Sequence, residues 1–407
     1  MTAFSSALGS AIWSDLSRGW LREADCRLAD LAAIAEQPTD PADYPYAARV
    51  EDRVLVYDSD TLRTLISDPG IRLAVQAELA HAFLEGPGII TFQGAFADTA
   101  VVDTATDVFR TMIAEQRASG QAAGDHYARP GDNDRVWNAL EKLAVAEPEV
   151  FVEYYSNDII ALASSAWLGP GYALTSQINV VNPGGLAQSP HRDYHLGFMT
   201  IERAEEYPSH VHLLSAALTL QGAIAHCDMP LESGPTMYLP NSQKYLLGYL
   251  AWRRQEFKDY FAEHRVQLAL DKGDAVFFNP AVFHAAGTNQ TADVYRMANL
   301  LQINSPLGKC LESIDHERMC NAVFPALLKM RAGGASRQAL ENSITATADG
   351  YAFPINLDRD QPIGGLTPDC QADILRRAIT EDWSPEKLHD ELRGYAYRRL
   401  TAGDLPG

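Results

Sequence analysis

Long apolar runs are missing from this 407-residue chain, and no stretch approaches the roughly 18 apolar residues that a membrane span needs. The opening MTAFSSALGSAIWSDL has no basic segment followed by an apolar one, so no secretory leader is read there. Cysteine is scarce too. Five thiols (Cys26, Cys227, Cys310, Cys320, Cys370) lie far apart with no CxxC pair, which argues against a disulfide framework and fits a reducing compartment. The expected location is cytoplasmic. Basic residues are outnumbered, 33 Lys and Arg against 53 Asp and Glu, for a formal net charge of -20. So acidic a surface repels phosphate backbones and anionic lipid, so neither nucleic acid nor membrane is expected as a partner.

What is present is a globular composition, 46% hydrophobic and 21% charged, able to bury a large core. Residues 12–36 carry helical spacing in Trp13, Leu16, Trp20, Leu21, Leu28, Leu31 and Ile34. RVLVYDSDTLRTLISDP reads as a strand then a helix, GPGIITFQGAF as a strand, and TAVVDTATDVFRTMIAEQRASG as a helix stopping at Gly120. Residues 134–168 read as further helix. From about 171 the texture changes to short β-branched and aromatic runs with turn residues between them: YALTSQINVV, HVHLLSAALTL, GPTMYLP, RVQLALDKGDAVFFNP and VYRMANLLQINSP. Helices first and strands later predict an α+β fold with a sandwich or barrel, and the last hundred residues read as helical again.

The chemistry is most readable in residues 171–305. His191 and Asp193 are two apart, so on an extended segment both side chains face one side and can meet one ion. Two histidines and a carboxylate form the triad that holds Fe(II) with open positions; an incidental surface pair is the plain alternative for His-x-Asp alone. His284, near the end of the apolar run in GDAVFFNPAVFHAAGTN, is the candidate third ligand, although a histidine there can equally be a satisfied core residue. Arg296 lies inside the apolar VYRMANLLQI, where a guanidinium is costly to bury unless an anion meets it. Its planar fork suits a carboxylate, either a ligand's or that of a structural Asp or Glu. His195 can line a pocket or support the ligands. His210 and His212, read on a strand edge, lack a partnered Glu at metal-site spacing.

NPGGLAQSPHRDYH, ESGPTMYLPNSQK, GDAVFFNPAVFHAAGTNQTADVYR and NDRVWNALEKL together resemble the phytanoyl-CoA dioxygenase family of Fe(II)/2-oxoglutarate oxygenases, over roughly residues 88–306. The resemblance implies a double-stranded β-helix (a jelly roll, cupin-like) with flanking helices over residues 86–310. A helical N-terminal extension (1–85) and a mainly helical C-terminal one (311–407) would flank that core. It implies His191, Asp193 and His284 as iron ligands and Arg296 as the partner of the distal carboxylate of 2-oxoglutarate, with Gln188, Thr236 and Arg135 as further cosubstrate contacts. Asn241 stands where the family often has Gly, a departure confined to the turn.

Fe(II), 2-oxoglutarate and O2 are the implied cofactor set, and hydroxylation of a small organic molecule with release of succinate and CO2 is the implied reaction. Related halogenases carry Gly or Ala where this chain has Asp193, so the carboxylate points away from halogenation. A cupin-like metal-dependent isomerase or hydrolase is the alternative reading, and a non-catalytic jelly-roll binding protein a further one. Either terminal extension can cover the site or form a homodimer contact.

Overall fold

The computed structural model describes residues 19–120, 131–401 and 403. Trp13 and Leu16, the first part of the expected N-terminal helix, fall outside them; of the rest only Leu28–Ala35 is an α-helix, Trp20 pairing instead with Pro208 and Glu23–Asp25 forming a 3-10 turn.

Among the described residues ten strands form two sheets. The larger contains β1 (Arg49–Glu51), β2 (Val54–Asp58), β3 (Ile89–Gln93), β4 (Asn133–Val136), β5 (Ala173–Val181), β6 (Thr219–Ala225), β8 (Ala275–Phe278) and β10 (Arg296–Asn304). Their spatial order is β1-β2-β3-β8-β6-β10-β5-β4, antiparallel throughout except for the parallel pair β2–β3. The smaller sheet pairs β7 (Met237–Leu239) with β9 (Phe283–Ala285). Single bridges extend it on both sides, His191 to His284 and Tyr238 to Val266. Strands and helices are both substantial, so the class is α+β. The strands begin well before 171, since β1 and β2 lie at 49–58 and join the sheet edge.

Side-chain alternation gives the large sheet two unlike faces. On one face Leu174, Ile178, Leu220, Ile224, Phe277, Leu301 and Ile303 join one apolar core with the helices Pro69–Leu84, Ala100–Ala118, Pro148–Tyr155 and Asp158–Leu168. The helices His316–Ala332, Gln371–Thr380 and Pro385–Arg399 bury their apolar faces in the same core. On the other face lie Gln177, Asn179, Gln221, Ala223, Val276, Phe278, Ala298, Leu300 and Gln302, which line a cavity of about 640 Å³. Tyr238 and His284 of the smaller sheet line it as well.

Three local readings need correction. HVHLLSAALTL is not one strand: Ser209–Ala217 is helical and β6 begins only at Thr219. Leu and Ala are strong helix formers, and Pro208 just before the first turn cannot interrupt a helix there. Residues 134–168 are not helical throughout, because β4 occupies 133–136 and carries Arg135. In RVQLALDKGDAVFFNP only Ala275–Phe278 is a strand, with Val266 and Leu270 making isolated bridges. Asn241 adopts the left-handed backbone, φ +70°, which suits its place where relatives have glycine.

Between sheet and helices lies a closed polar chain. Thr106 Oγ1 donates to Val102 O, so His226 Nδ1–H donates to Thr106 Oγ1 at 2.8 Å and Nε2 accepts from the Tyr154 hydroxyl at 2.9 Å. Burial pushes the His226 imidazole down to about 3, below the roughly 6.5 of an exposed histidine. As pH falls the unfolded chain takes up this proton first, so the stabilisation is complete above about pH 6.5 and is lost towards pH 3. His226→Gln keeps one donor and one acceptor without titrating. Its melting temperature should therefore fall less than that of the unmodified protein between pH 7 and 4.5; parallel curves would contradict this assignment.

Candidate metal centre

His191 and Asp193 lie in the segment that crosses from β5 towards the helix Ser209–Ala217. Within it His191 makes a single bridge, to His284, and no strand forms around these two ligands. His191 N donates to His284 O at 3.0 Å and His284 N donates to His191 O at 3.1 Å, while Asp193 N reaches Pro280 O at 3.2 Å. These bonds hold the segment extended, so residues 191 and 193 still face the same way.

Arg192 faces the opposite way. It is 2% exposed, its guanidinium carbon lies 5.0 Å from the ring centres of both Tyr249 and Phe283, and Nη2 donates to Tyr245 O at 2.9 Å and to Ser242 O. Gly248 makes the room: a Cβ there would lie 1.9 Å from the Arg192 Cζ. Burial lowers the guanidinium to about 10, so it stays charged at neutral pH. Arg192 is thus the peg that fixes the His-x-Asp segment from behind, a role the sequence reading passed over.

His191, Asp193 and His284 each offer a ligand atom, all within 4.8 Å of one another, and form the one such group among the described residues. His191 Nε2 lies 3.6 Å from Asp193 Oδ1, and His284 Nε2 lies 3.4 Å from Asp193 Oδ2. The far ring nitrogens are oriented by backbone carbonyls, His191 Nδ1 by Ser189 O and His284 Nδ1 by Val282 O, both at 2.9 Å. Each Nδ1–H donates, which leaves each Nε2 bare towards the carboxylate. Burial by itself would raise the Asp193 carboxyl. The two imidazoles beside it and the Gln221 amide outweigh burial and hold it well below the usual carboxylate range. Two imidazole nitrogens and one carboxylate, all aimed into one cavity, fit a divalent first-row metal with positions left open.

Arg296 starts β10 and points into the same cavity, 6% exposed. Nη1 donates to Gly234 O, Nε has no partner, and no acidic side chain bridges it among the described residues. Burial lowers it to about 10, still cationic at neutral pH. The structural ion pair left open from sequence is therefore not what occupies this guanidinium. Beside it the buried Tyr238 hydroxyl is also without a partner. A carboxylate would answer both.

The remaining sequence candidates divide. Gln188, Thr236 and Arg135 all line the cavity. The Gln188 Oε1 accepts from Ala286 N at 3.2 Å. Arg135 donates to Gln177 Oε1 at 3.0 Å and lies 5.0 Å over the Trp137 ring. His195 does not line the cavity, although Phe198 does. His212 is buried on its helix with Nε2 3.2 Å from Ala204 O, away from the triad. Gln221, Gln302 and Trp252 at the site were missed. Glutamines in a strand flanked by small apolar residues give no sequence signal separating a ligand's neighbour from an ordinary inward amide.

The sequence profile of the phytanoyl-CoA dioxygenase family matches residues 65–298, more than half of the chain. No curated protein matches it in sequence. Among solved structures it is similar to SnoN, a non-heme alpha ketoglutarate dependent epimerase from nogalamycin biosynthesis, at 18% identity and a TM-score of 0.41, covering 59% of this chain and 82% of that one. The carbocyclase SnoK of the same biosynthesis gives 20% identity and 0.37, covering 56% and 83%. HygX from Streptomyces hygroscopicus, solved with nickel, 2-oxoglutarate and hygromycin B, gives 14% and 0.43, covering 58% and 90%. With its triad, its unpaired Arg296 and the profile match in place, the chain belongs to the phytanoyl-CoA dioxygenase family of Fe(II)- and 2-oxoglutarate-dependent enzymes.

Proposed function

We propose that this protein is a non-haem Fe(II)/2-oxoglutarate-dependent dioxygenase that hydroxylates, or otherwise oxidises, a small organic molecule, with succinate and CO2 as coproducts. The observation that carries the reading is a single cavity holding both the His191–Asp193–His284 triad and a buried arginine with no acidic partner. The proposed scaffold is a double-stranded β-helix. Its support is that side chains of the large, mainly antiparallel sheet and of the β7–β9 pair meet across that cavity.

In this reading His191, Asp193 and His284 hold the iron, and Arg296, with Tyr238 and Thr236 beside it, takes the distal carboxylate of 2-oxoglutarate. Gln188 and Arg135, which line the same cavity, are further cosubstrate contacts in this reading. When bound, iron with 2-oxoglutarate and O2 supplies the oxidising power to attack a C–H bond. The chain's own part is to orient and to exclude water. Val276, Phe278, Leu268 and Leu270 give the cavity apolar walls, while Phe198 and Leu311, both exposed, stand at its rim. Asp193 occupies the ligand position that a halogenase must vacate for halide, which supports oxygen insertion over halogenation.

Anaerobic addition of Fe(II) and 2-oxoglutarate should give the weak visible metal-to-ligand charge-transfer band of a chelated cosubstrate. His191→Ala should abolish it. Arg296→Ala should retain it only at 2-oxoglutarate concentrations roughly 10–100-fold higher, the loss expected for one or two charge-assisted hydrogen bonds. No band in the unmodified protein, with iron binding intact, would overturn the cosubstrate assignment and favour a cupin-like activity without 2-oxoglutarate.

A further inference from the structure

A ligand set with two imidazoles and one carboxylate works only if the carboxylate spends a single oxygen on the metal. His191, Asp193 and His284 would hold the metal, and a carboxylate that bound it through both oxygens would take up a position that cosubstrate or O2 would need. The two histidines cannot drift in this way, because a backbone carbonyl fixes each ring. Asp193 has no such constraint from the main chain.

Its constraint comes from β6. Gln221, 4% exposed, donates from Nε2 to Asp193 Oδ2 at 2.6 Å. A reversed amide would set oxygen against oxygen, so the NH2 group must face the carboxylate. Gln221 lies directly across from Gln302 of β10, and its Nε2 is 3.4 Å from Gln302 Oε1. The same Gln302 oxygen accepts from the Tyr194 hydroxyl. Both amide hydrogens of Gln221 and both lone pairs of the Gln302 oxygen are then in use.

The far end of this chain returns to the ligand segment, since Tyr194 is the residue after Asp193. Tyr194 and His195 both have left-handed backbones, φ +66° and +44°. Such conformations are unfavourable for residues with a side chain, and they persist where the surroundings dictate them. Here the surroundings include the Tyr194 ring, 2% exposed and packed against Phe198. The backbone kink and the side-chain chain Tyr194–Gln302–Gln221–Asp193 close one loop around the carboxylate.

We propose that Gln221, braced by Gln302 and Tyr194, is a positioning residue that holds Asp193 through Oδ2 and so fixes the orientation in which the carboxylate meets the metal. The proposal rests on the reading of His191, Asp193 and His284 as a metal site. Gln221 reaches the metal only through Asp193, so removing it must change metal affinity and coordination together.

The experiment is a Co(II) titration, followed by calorimetry and by the visible d–d bands, of the unmodified protein, Gln221→Leu and Tyr194→Phe. Unmodified protein should bind one Co(II). Gln221→Leu should bind it roughly 10–100-fold more weakly, the usual effect of losing a ligand's outer hydrogen-bond partner, and with an altered d–d spectrum as Oδ2 becomes free. Tyr194→Phe should shift both readouts in the same direction by less, and it carries the test if leucine is not tolerated at 221. Unchanged affinity and spectrum in the variants, with Co(II) bound by the unmodified protein, would overturn the positioning role and leave the metal site standing. Failure of the unmodified protein to bind Co(II) would overturn both.

Discussion

His191 and His284 exchange a pair of backbone hydrogen bonds, 3.0 and 3.1 Å long, and the geometry of the site hangs on that exchange. It joins a segment without regular structure to the middle of β9, setting two imidazoles side by side with ring centres 4.5 Å apart. Asp193 follows two residues later on the same side, and Arg192 between them is buried on the other. A slip of one residue in this pairing would turn Arg192 into the cavity and both acidic and imidazole ligands out of it. The stacking of Arg192 between Tyr249 and Phe283, over the space left by Gly248, opposes that slip.

Around this contact the large sheet separates two requirements by the alternation of its side chains. Its helix-packed face is apolar and closed, and hydrogen bonds link the buried Thr106, His226, Tyr154 and Asn299 there. Its cavity face carries amides and Arg296 among small and aromatic residues. Several polar atoms of this face, among them Gln177 Nε2, Gln221 Oε1 and Arg296 Nε, and the Tyr238 hydroxyl of β7 opposite, have no partner among the described residues. Buried polar atoms without partners are unfavourable in a core. Here they mark the wall that ligands complete.

Much of the site was legible because its residues break their local pattern. His284 and Arg296 stand out as polar residues inside apolar runs, and the spacing of His191 and Asp193 carries its own geometry. The strands β5, β8 and β10 were legible for the opposite reason, a β-branched and aromatic texture bounded by turns. Gln221 was not, because TLQGAIA reads as a strand whatever its glutamine touches. Nor was the helix Ser209–Ala217, whose histidines and leucines fit either period over so short a run. β4 escaped because a four-residue strand next to a helix is set by its partner β5, through pairs such as Arg135 with Asn179, rather than by its own composition. Arg192 was hidden inside the very motif that drew attention to its neighbours.

The most direct test of the central claim, that one cavity holds iron and 2-oxoglutarate between the triad and Arg296, is a crystal structure grown anaerobically with both. The expected result is one metal ion about 2.1 Å from nitrogens of His191 and His284 and from an oxygen of Asp193. 2-Oxoglutarate should chelate it, with its far carboxylate on Arg296. A metal bound elsewhere, or a cosubstrate whose far carboxylate avoids Arg296, would contradict the account.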